Sequence, residues 1–207
     1  VNPIYTYHKF VEKLDFTDLR VIFELGAGRG VNTQNSFKFY EPESLYAFEA
    51  DPVNYTKMVE YLKHFDFGGR VKGYNLAVGS INGQLNFWRH PDFRSSGIIK
   101  HPTDPCEMIK VNSVTLDMFC NQFKIPKIDL ILSDIQGAEI LAFLNQRIML
   151  TVQYVICSCG LKPEWKPKFP ILSDLEPVMN ACGLKKVEEL IVLDGMLGHF
   201  LFAREEK

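Results

Sequence analysis

The run Arg20–Gly30, RVIFELGAGRG, decides the fold. Arg20–Leu25 is β-branched, aromatic and apolar, which predicts a strand, and the residues after it form a glycine-rich bend. Glycines let the backbone turn tightly and bring main-chain N–H groups close to a ligand. In an open α/β sheet, ligands bind at that place, outside the carboxyl ends of the strands. A dinucleotide bend would read GxGxxG. Gly26 and Gly28 fit the first two glycines, but Val31 stands at the third and a glycine falls at Gly30 instead. The acid Glu24 also lies two residues before Gly26. Both departures disfavour NAD and favour a ligand with a positively charged or zwitterionic end.

The second strand, Ser44–Glu49 (SLYAFE), closes on Glu49, 25 positions after Glu24. A carboxylate there can accept hydrogen bonds from both hydroxyls of a ribose. Together the glycine bend and Glu49 imply an adenosine-type ligand. Asp51 is suited to cap a helix over Pro52–Phe65, with Pro52 at its first position. Between the two strands, Asn32–Tyr40 predicts a helix that starts near Asn32 or Thr33.

Farther along, Arg70–Val78 predicts a third strand, and Ile128–Ser133 (IDLILS) a central strand covered on both faces. Gly137–Arg147 predicts a helix with Ile140, Leu141, Phe143 and Leu144 inward, and Val152–Cys157 the next strand. A helix over Ser173–Cys182 is expected to be capped by Ser173 and stopped by Gly183. Leu184–Leu193 and Met196–Ala203 predict an antiparallel pair around Asp194-Gly195. Strand and helix alternate, which argues a doubly wound α/β sheet. Gly83–His90 and Val111–Leu116 interrupt the rhythm as two extra strands, and Pro91–Lys110 between them is either a lid or a surface connection.

The chain has 207 residues, 46% hydrophobic and 23% charged, with a net charge of −2. These values fit one globular domain and exclude a disordered, collagen-like or coiled-coil chain. No apolar run approaches the ~20 residues of a membrane span. No secretory leader pattern is visible, although the chain opens at Val1 rather than Met. The charge balance gives no basic stripe for nucleic acid. The five cysteines at irregular spacing predict reduced thiols and a cytoplasmic location. Cys157-Ser158-Cys159 completes no metal site and is expected to be two thiols on opposite faces of a buried strand.

In order, ELGAGRG (24–30), YAFEADP (46–52), NLAVGSINGQLNFW (75–88), VNSVTLDMF (111–119) and IDLILSDIQGAE (128–139) resemble the pattern of FkbM-type methyltransferases. These are class I enzymes that use S-adenosylmethionine (SAM). The resemblance implies one Rossmann-like domain over residues 20–207, after an N-terminal segment 1–19. Its sheet would be mostly parallel and seven-stranded with a final antiparallel strand, and it would carry an inserted β-hairpin or lid near 83–116. It also implies a cofactor, SAM, and a small-molecule or glycan acceptor, with no nucleic acid, membrane or metal. Glu24, Gly26, Ala27, Gly28 and Gly30 would line the methionine end of SAM. Glu49 and Ala50 would meet the ribose, and Leu76, Ala77 and Val78 the adenine. Asp134 would face the methyl-transfer site, either as the catalytic base or as a group that positions SAM.

Gln136 and Glu139 belong to the same segment, and Glu139 would either cap the helix or face the pocket. His90 and His101 flank the candidate lid and are expected to be surface histidines, the alternative being a catalytic base. Trp165, on an extended surface loop near the site mouth, would either stack on a sugar or base ring or pack on its own domain, and His199 is expected in a structural role. One departure from the family stands out: Cys157-Ser158-Cys159-Gly160 occupies a strand end where a glutamate is common. The leading expectation is O-methylation of a sugar, glycan or secondary-metabolite hydroxyl. A SAM-binding protein without turnover and a nucleotide-dependent oxidoreductase are the alternatives.

Overall fold

The computed structural model describes residues 18–92, 96–100, 105–162, 169–192 and 195–205, with backbone alone for 190–192. Residues 1–17, His101, Trp165 and Asp194 lie outside the described residues.

Strand β1 (Val21–Leu25) leads into helix α1 (Val31–Tyr40), β2 (Ser44–Phe48), α2 (Pro52–Leu62) and β3 (Val71–Tyr74). A second group follows: β4 (Ala77–Val78), β5 (Gly83–Arg89), β6 (Glu107–Val114) and helix α3 (Leu116–Phe123). The main sheet resumes with β7 (Leu130–Ser133), α4 (Glu139–Phe143), a 3-10 turn (Arg147–Leu150) and β8 (Tyr154–Gly160). Helix α5 (Leu172–Ala181), β9 (Leu184–Val192) and β10 (Leu197–Arg204) complete the described chain.

Seven strands form one sheet in the order β3-β2-β1-β7-β8-β10-β9. Pairings from β3 to β8 are parallel, and β10 runs antiparallel to both β8 and β9. This is the expected doubly wound α/β sheet with its final antiparallel strand. Alternation along β1 explains the layering: Phe23 and Leu25 pack into one apolar cluster, Ile22 into the other. Helices α1 and α2 cover the Ile22 face through Phe37 and Met58, while Phe119, Phe143 and Met179 of α3, α4 and α5 cover the Phe23 face. All four residues of β7 are buried, as its apolar run predicts.

Several elements differ from their expectations. The third strand is not continuous over Arg70–Val78. Asn75 Nδ2 donates to the carbonyls of Glu49 (2.9 Å) and Ala50 (3.0 Å), which turns the chain out of the main sheet. Ala77–Val78 then pairs with β6 in a separate three-stranded sheet, so the insertion is a hairpin plus one short strand. The strand expected over Val111–Leu116 begins earlier and stops at Val114, because the Thr115 hydroxyl accepts from Met118 N (3.2 Å) and starts α3. That helix was not predicted.

The helix expected over Gly137–Arg147 shrinks to α4, since Leu144 is extended and Asn145 is left-handed (φ 61). Its inward face is Glu139, Ala142 and Phe143, and Leu141 and Leu144 are exposed. Helix α2 has the predicted cap, with Asp51 Oδ1 accepting from Val53 N (2.8 Å). Helix α5 starts one residue before Ser173, and Asp174 rather than Ser173 reaches its end, accepting from Ile171 N (3.0 Å). Cys157 and Cys159 lie on the same face of β8, both buried in one cluster, because residues two apart on a strand share a face.

Candidate active site

The glycine bend is built by its neighbours. Gly26 N and Ala27 N both donate to Phe48 O at 2.9 Å, and Asp134 N donates to Leu25 O at 3.0 Å. The bend is thereby wedged between the ends of β2 and β7. Gly26 has φ 81, and a Cβ there would overlap the Asp134 carbonyl oxygen, so no other residue fits without movement. Gly28 (φ 58) faces open space, and its N–H donates to Glu49 Oε2 at 2.7 Å. Gly30 (φ 87) caps α1, and a Cβ there would press on Met58 and Leu62.

Above the bend lies a crevice of about 680 Å³. Gly26, Ala27, Gly28, Glu49, Ala50, Leu76, Ala77, Val78 and Asp134 all line it. Four chain segments far apart in sequence therefore meet at this crevice. Glu24 and Gly30 are placed differently: they sit beneath the bend and do not line the crevice. Glu24 is buried and its Oε2 has no hydrogen-bond partner. Burial pushes its carboxyl up to about 8; the Thr33 hydroxyl opposes this and the Glu49 charge adds to it.

Both Glu49 oxygens accept backbone N–H groups, Oε2 from Gly28 and Oε1 from Asp51 at 2.8 Å. Burial raises this carboxyl to about 7 against the pull of those donors. Asp134 Oδ1 accepts from Gln136 Nε2 at 2.7 Å. Glu139 is the buried prop of this strand end, accepting from Ile135 N (3.1 Å) and Ser133 Oγ (3.3 Å), and burial raises it to about 7. It supports the Asp134 loop from below rather than lining the crevice.

The connection after β5, expected to be either a lid or a surface connection, supplies the far wall, although sequence reasoning singled out none of its lining residues. Phe87 of β5, together with Asp92, Ser96, Gly97 and Ile98 of the following connection, lines the crevice opposite the bend. Gly97 pairs with Trp88 as an antiparallel bridge, which folds this stretch back over the site. The length of the connection marks the stretch but not these residues, since a pairing across a loop decides their position. His90 pairs with Asp92 at its Nδ1 (2.7 Å) at the edge of this wall. His199 is buried beside Ser158 (Nδ1···Oγ 2.7 Å), and burial lowers it to about 4, in keeping with a structural role. On β8 the Cys157 and Cys159 thiols are packed in the core, and burial raises both, Cys159 to about 12.

A family model described as the methyltransferase FkbM domain matches residues 24–185. The 2-O-methyltransferase NoeI of Sinorhizobium fredii is 26% identical over 136 residues, 58% of this chain and 54% of that protein. The chain thus spans about half the length of this curated relative. Among solved structures, the methyltransferase FkbM of Methylobacillus flagellatus superposes with a TM-score of 0.63 at 13% identity, covering 91% of this chain and 45% of the other. Aeropyrum pernix fibrillarin, solved with natively bound SAM, gives a TM-score of 0.57 at 10% identity over 95% and 72% of the two chains. At these identities the structural likeness speaks for the fold.

Proposed function

The chain belongs to the FkbM methyltransferase family, and on that premise we propose that it moves the methyl group of SAM to a hydroxyl oxygen of a small-molecule or glycan acceptor. One observation carries the reading. The glycine bend, the Glu49 carboxylate and Asp134 converge on a single crevice at the carboxyl edge of the sheet. The residues present fit SAM: the backbone at Gly26 and Gly28 leaves no side chain in the way, and an acid closes the neighbouring strand. The adjoining Glu24 has a buried oxygen without a hydrogen-bond partner, a free acceptor beneath the bend.

When bound, SAM supplies an electrophilic methyl group on a positively charged sulfur. The chain's own residues bind and orient. Glu49 accepts the two ribose hydroxyls, and Leu76, Ala77 and Val78 flank the adenine. Asp134 places negative charge at the transfer end. Its Oδ1 is engaged by the Gln136 amide, which suits a carboxylate acting as an anion that positions its neighbours. Much of the rate then comes from holding the acceptor oxygen in line with the methyl group. The acceptor wall is the insertion, whose Asp92 and Ser96 offer polar contacts to a hydroxylated molecule.

Isothermal titration with SAM and with its demethylated product tests the donor half, and methyl transfer to a panel of hydroxylated acceptors tests the other half. Glu49→Ala is expected to weaken SAM binding by about 1–3 kcal/mol, the cost of losing hydrogen bonds to a charged group. Asp134→Asn is expected to lower SAM affinity and turnover together. A fall in turnover alone would assign Asp134 the acceptor proton instead. Absence of SAM binding in the unmodified protein would overturn the reading.

A further inference from the structure

We propose that Arg89, on the inserted sheet, is a positioning residue for the donor-binding carboxylate Glu49 and acts on it through Asp51. The inference rests on the reading above, in which Glu49 receives the ribose.

Arg89 ends β5, outside the main sheet. Its guanidinium grips Asp51 as a fork, with Nε donating to Oδ2 at 2.6 Å and Nη2 to Oδ1 at 3.1 Å. The Arg89 side chain is 19% exposed and that of Asp51 is not exposed at all. Asp51 N in turn donates to Glu49 Oε1, and Glu49 Oε2 accepts from Gly28 N. A continuous chain of hydrogen bonds therefore runs from the insertion, through the cap of α2, to the glycine bend.

Helix capping alone does not explain the arginine. Asp51 Oδ1 already accepts from Val53 N and Asn54 N, and a neutral asparagine could make such a cap. A fully buried carboxylate, however, needs a paired cation, and here the cation comes from another sheet. Its effect reaches Glu49 by charge as well as by geometry. Asp51 on its own loop and Glu24 on β1 face Glu49, and Arg89 on β5 stands behind Asp51, where its Nη1 also donates to Glu107 Oε2 of β6 at 3.4 Å. Burial holds the Glu49 carboxyl up at about 7, and the Asp51 charge pushes it the same way. The Arg89 cation beside Asp51 offsets that push. It keeps the Glu49 midpoint from rising further above neutrality, and the ionised carboxylate has full capacity to accept two hydroxyls. The inserted sheet is thereby a working part of the donor site as well as a wall for the acceptor.

The test is SAM titration calorimetry from pH 5.5 to 9 on the full chain, comparing the unmodified protein with R89Q, R89K and the double variant D51N/R89Q. In the unmodified protein, affinity should rise with pH as Glu49 ionises. In R89Q the midpoint should move up by about one pH unit, which is about a tenfold loss at pH values below it, and the loss should disappear by pH 9. R89K, which keeps the charge, should stay near the unmodified midpoint. D51N/R89Q, which removes both charges, should return to that midpoint or fall below it.

An R89Q loss of equal size at every pH, or no loss, overturns the proposal while leaving the SAM reading intact. A midpoint of D51N/R89Q above that of the unmodified protein also overturns it, and this arm holds even where R89Q alone fails to fold. Lack of SAM binding by the unmodified protein at every pH overturns the functional reading and the proposal together.

Discussion

Gly26 and Gly28 have similar sequence surroundings and opposite structural duties. Gly26 is confined by backbone, because a Cβ would overlap the Asp134 carbonyl. Gly28 faces open space in the crevice. Gly26→Ala should therefore destabilise the fold by about 1–3 kcal/mol, the range for a strained left-handed position with a clash, as measured by urea unfolding. Gly28→Ala should cost less stability and more SAM affinity, since its methyl group would occupy ligand space. The glycine spacing was legible in the sequence. The division of labour was not, since it depends on what the end of β7 places against the bend. Glu24 shows the same limit: its position two residues before Gly26 marks it, yet strand alternation turns it beneath the loop.

At the scale of elements, short apolar strands beside glycines were readable because their period and punctuation agree. The errors fell where a polar side chain redirected the backbone. Asn75 ends the third strand by bonding the carbonyls of Glu49 and Ala50, and Thr115 ends β6 by capping α3. Thr115→Ala should lower stability by about 0.5–2 kcal/mol, the usual worth of a cap, and leave SAM affinity unchanged. Both are measurable on one preparation. Helix α3 itself was missed although it supplies Phe119, the hub of an aromatic cluster with Phe23, Tyr46, Phe48 and Tyr74. Phe119 is 1% exposed. Phe119→Ala should cost about 3–5 kcal/mol in the same unfolding assay.

At the scale of the whole molecule, three buried carboxyls among the described residues are pushed up toward neutrality or above it by burial. Glu24 is raised to about 8, and Glu49 and Glu139 to about 7, from an ordinary 4.5. The folded state then holds protons that the unfolded chain releases, so stability falls as pH rises from about 4.5 to about 8. His199 works at the other end. Lowered from 6.5 to about 4, it refuses a proton that the unfolded chain accepts, so stability also falls as pH drops through that window. Above about 6.5 the carboxyls act without this opposition. Urea unfolding from pH 6.5 to 8.5 should show a steady loss of stability, and Glu24→Gln should flatten it. An unchanged slope in that variant would place the response elsewhere.

Taken alone, the sequence determined the strand and helix alternation, the glycine bend and the two acids, Glu49 and Asp134, that follow the strands on either side of β1. Those signals are local: they depend on period, turn chemistry and residue type within a dozen positions. Tertiary structure alone decided which of these residues share a crevice and which lie beneath it, that the far wall comes from the insertion, and that Arg89 reaches Asp51. Each of these depends on contacts between segments distant in the chain, where packing and the need to pair buried charge, rather than local pattern, choose the partner.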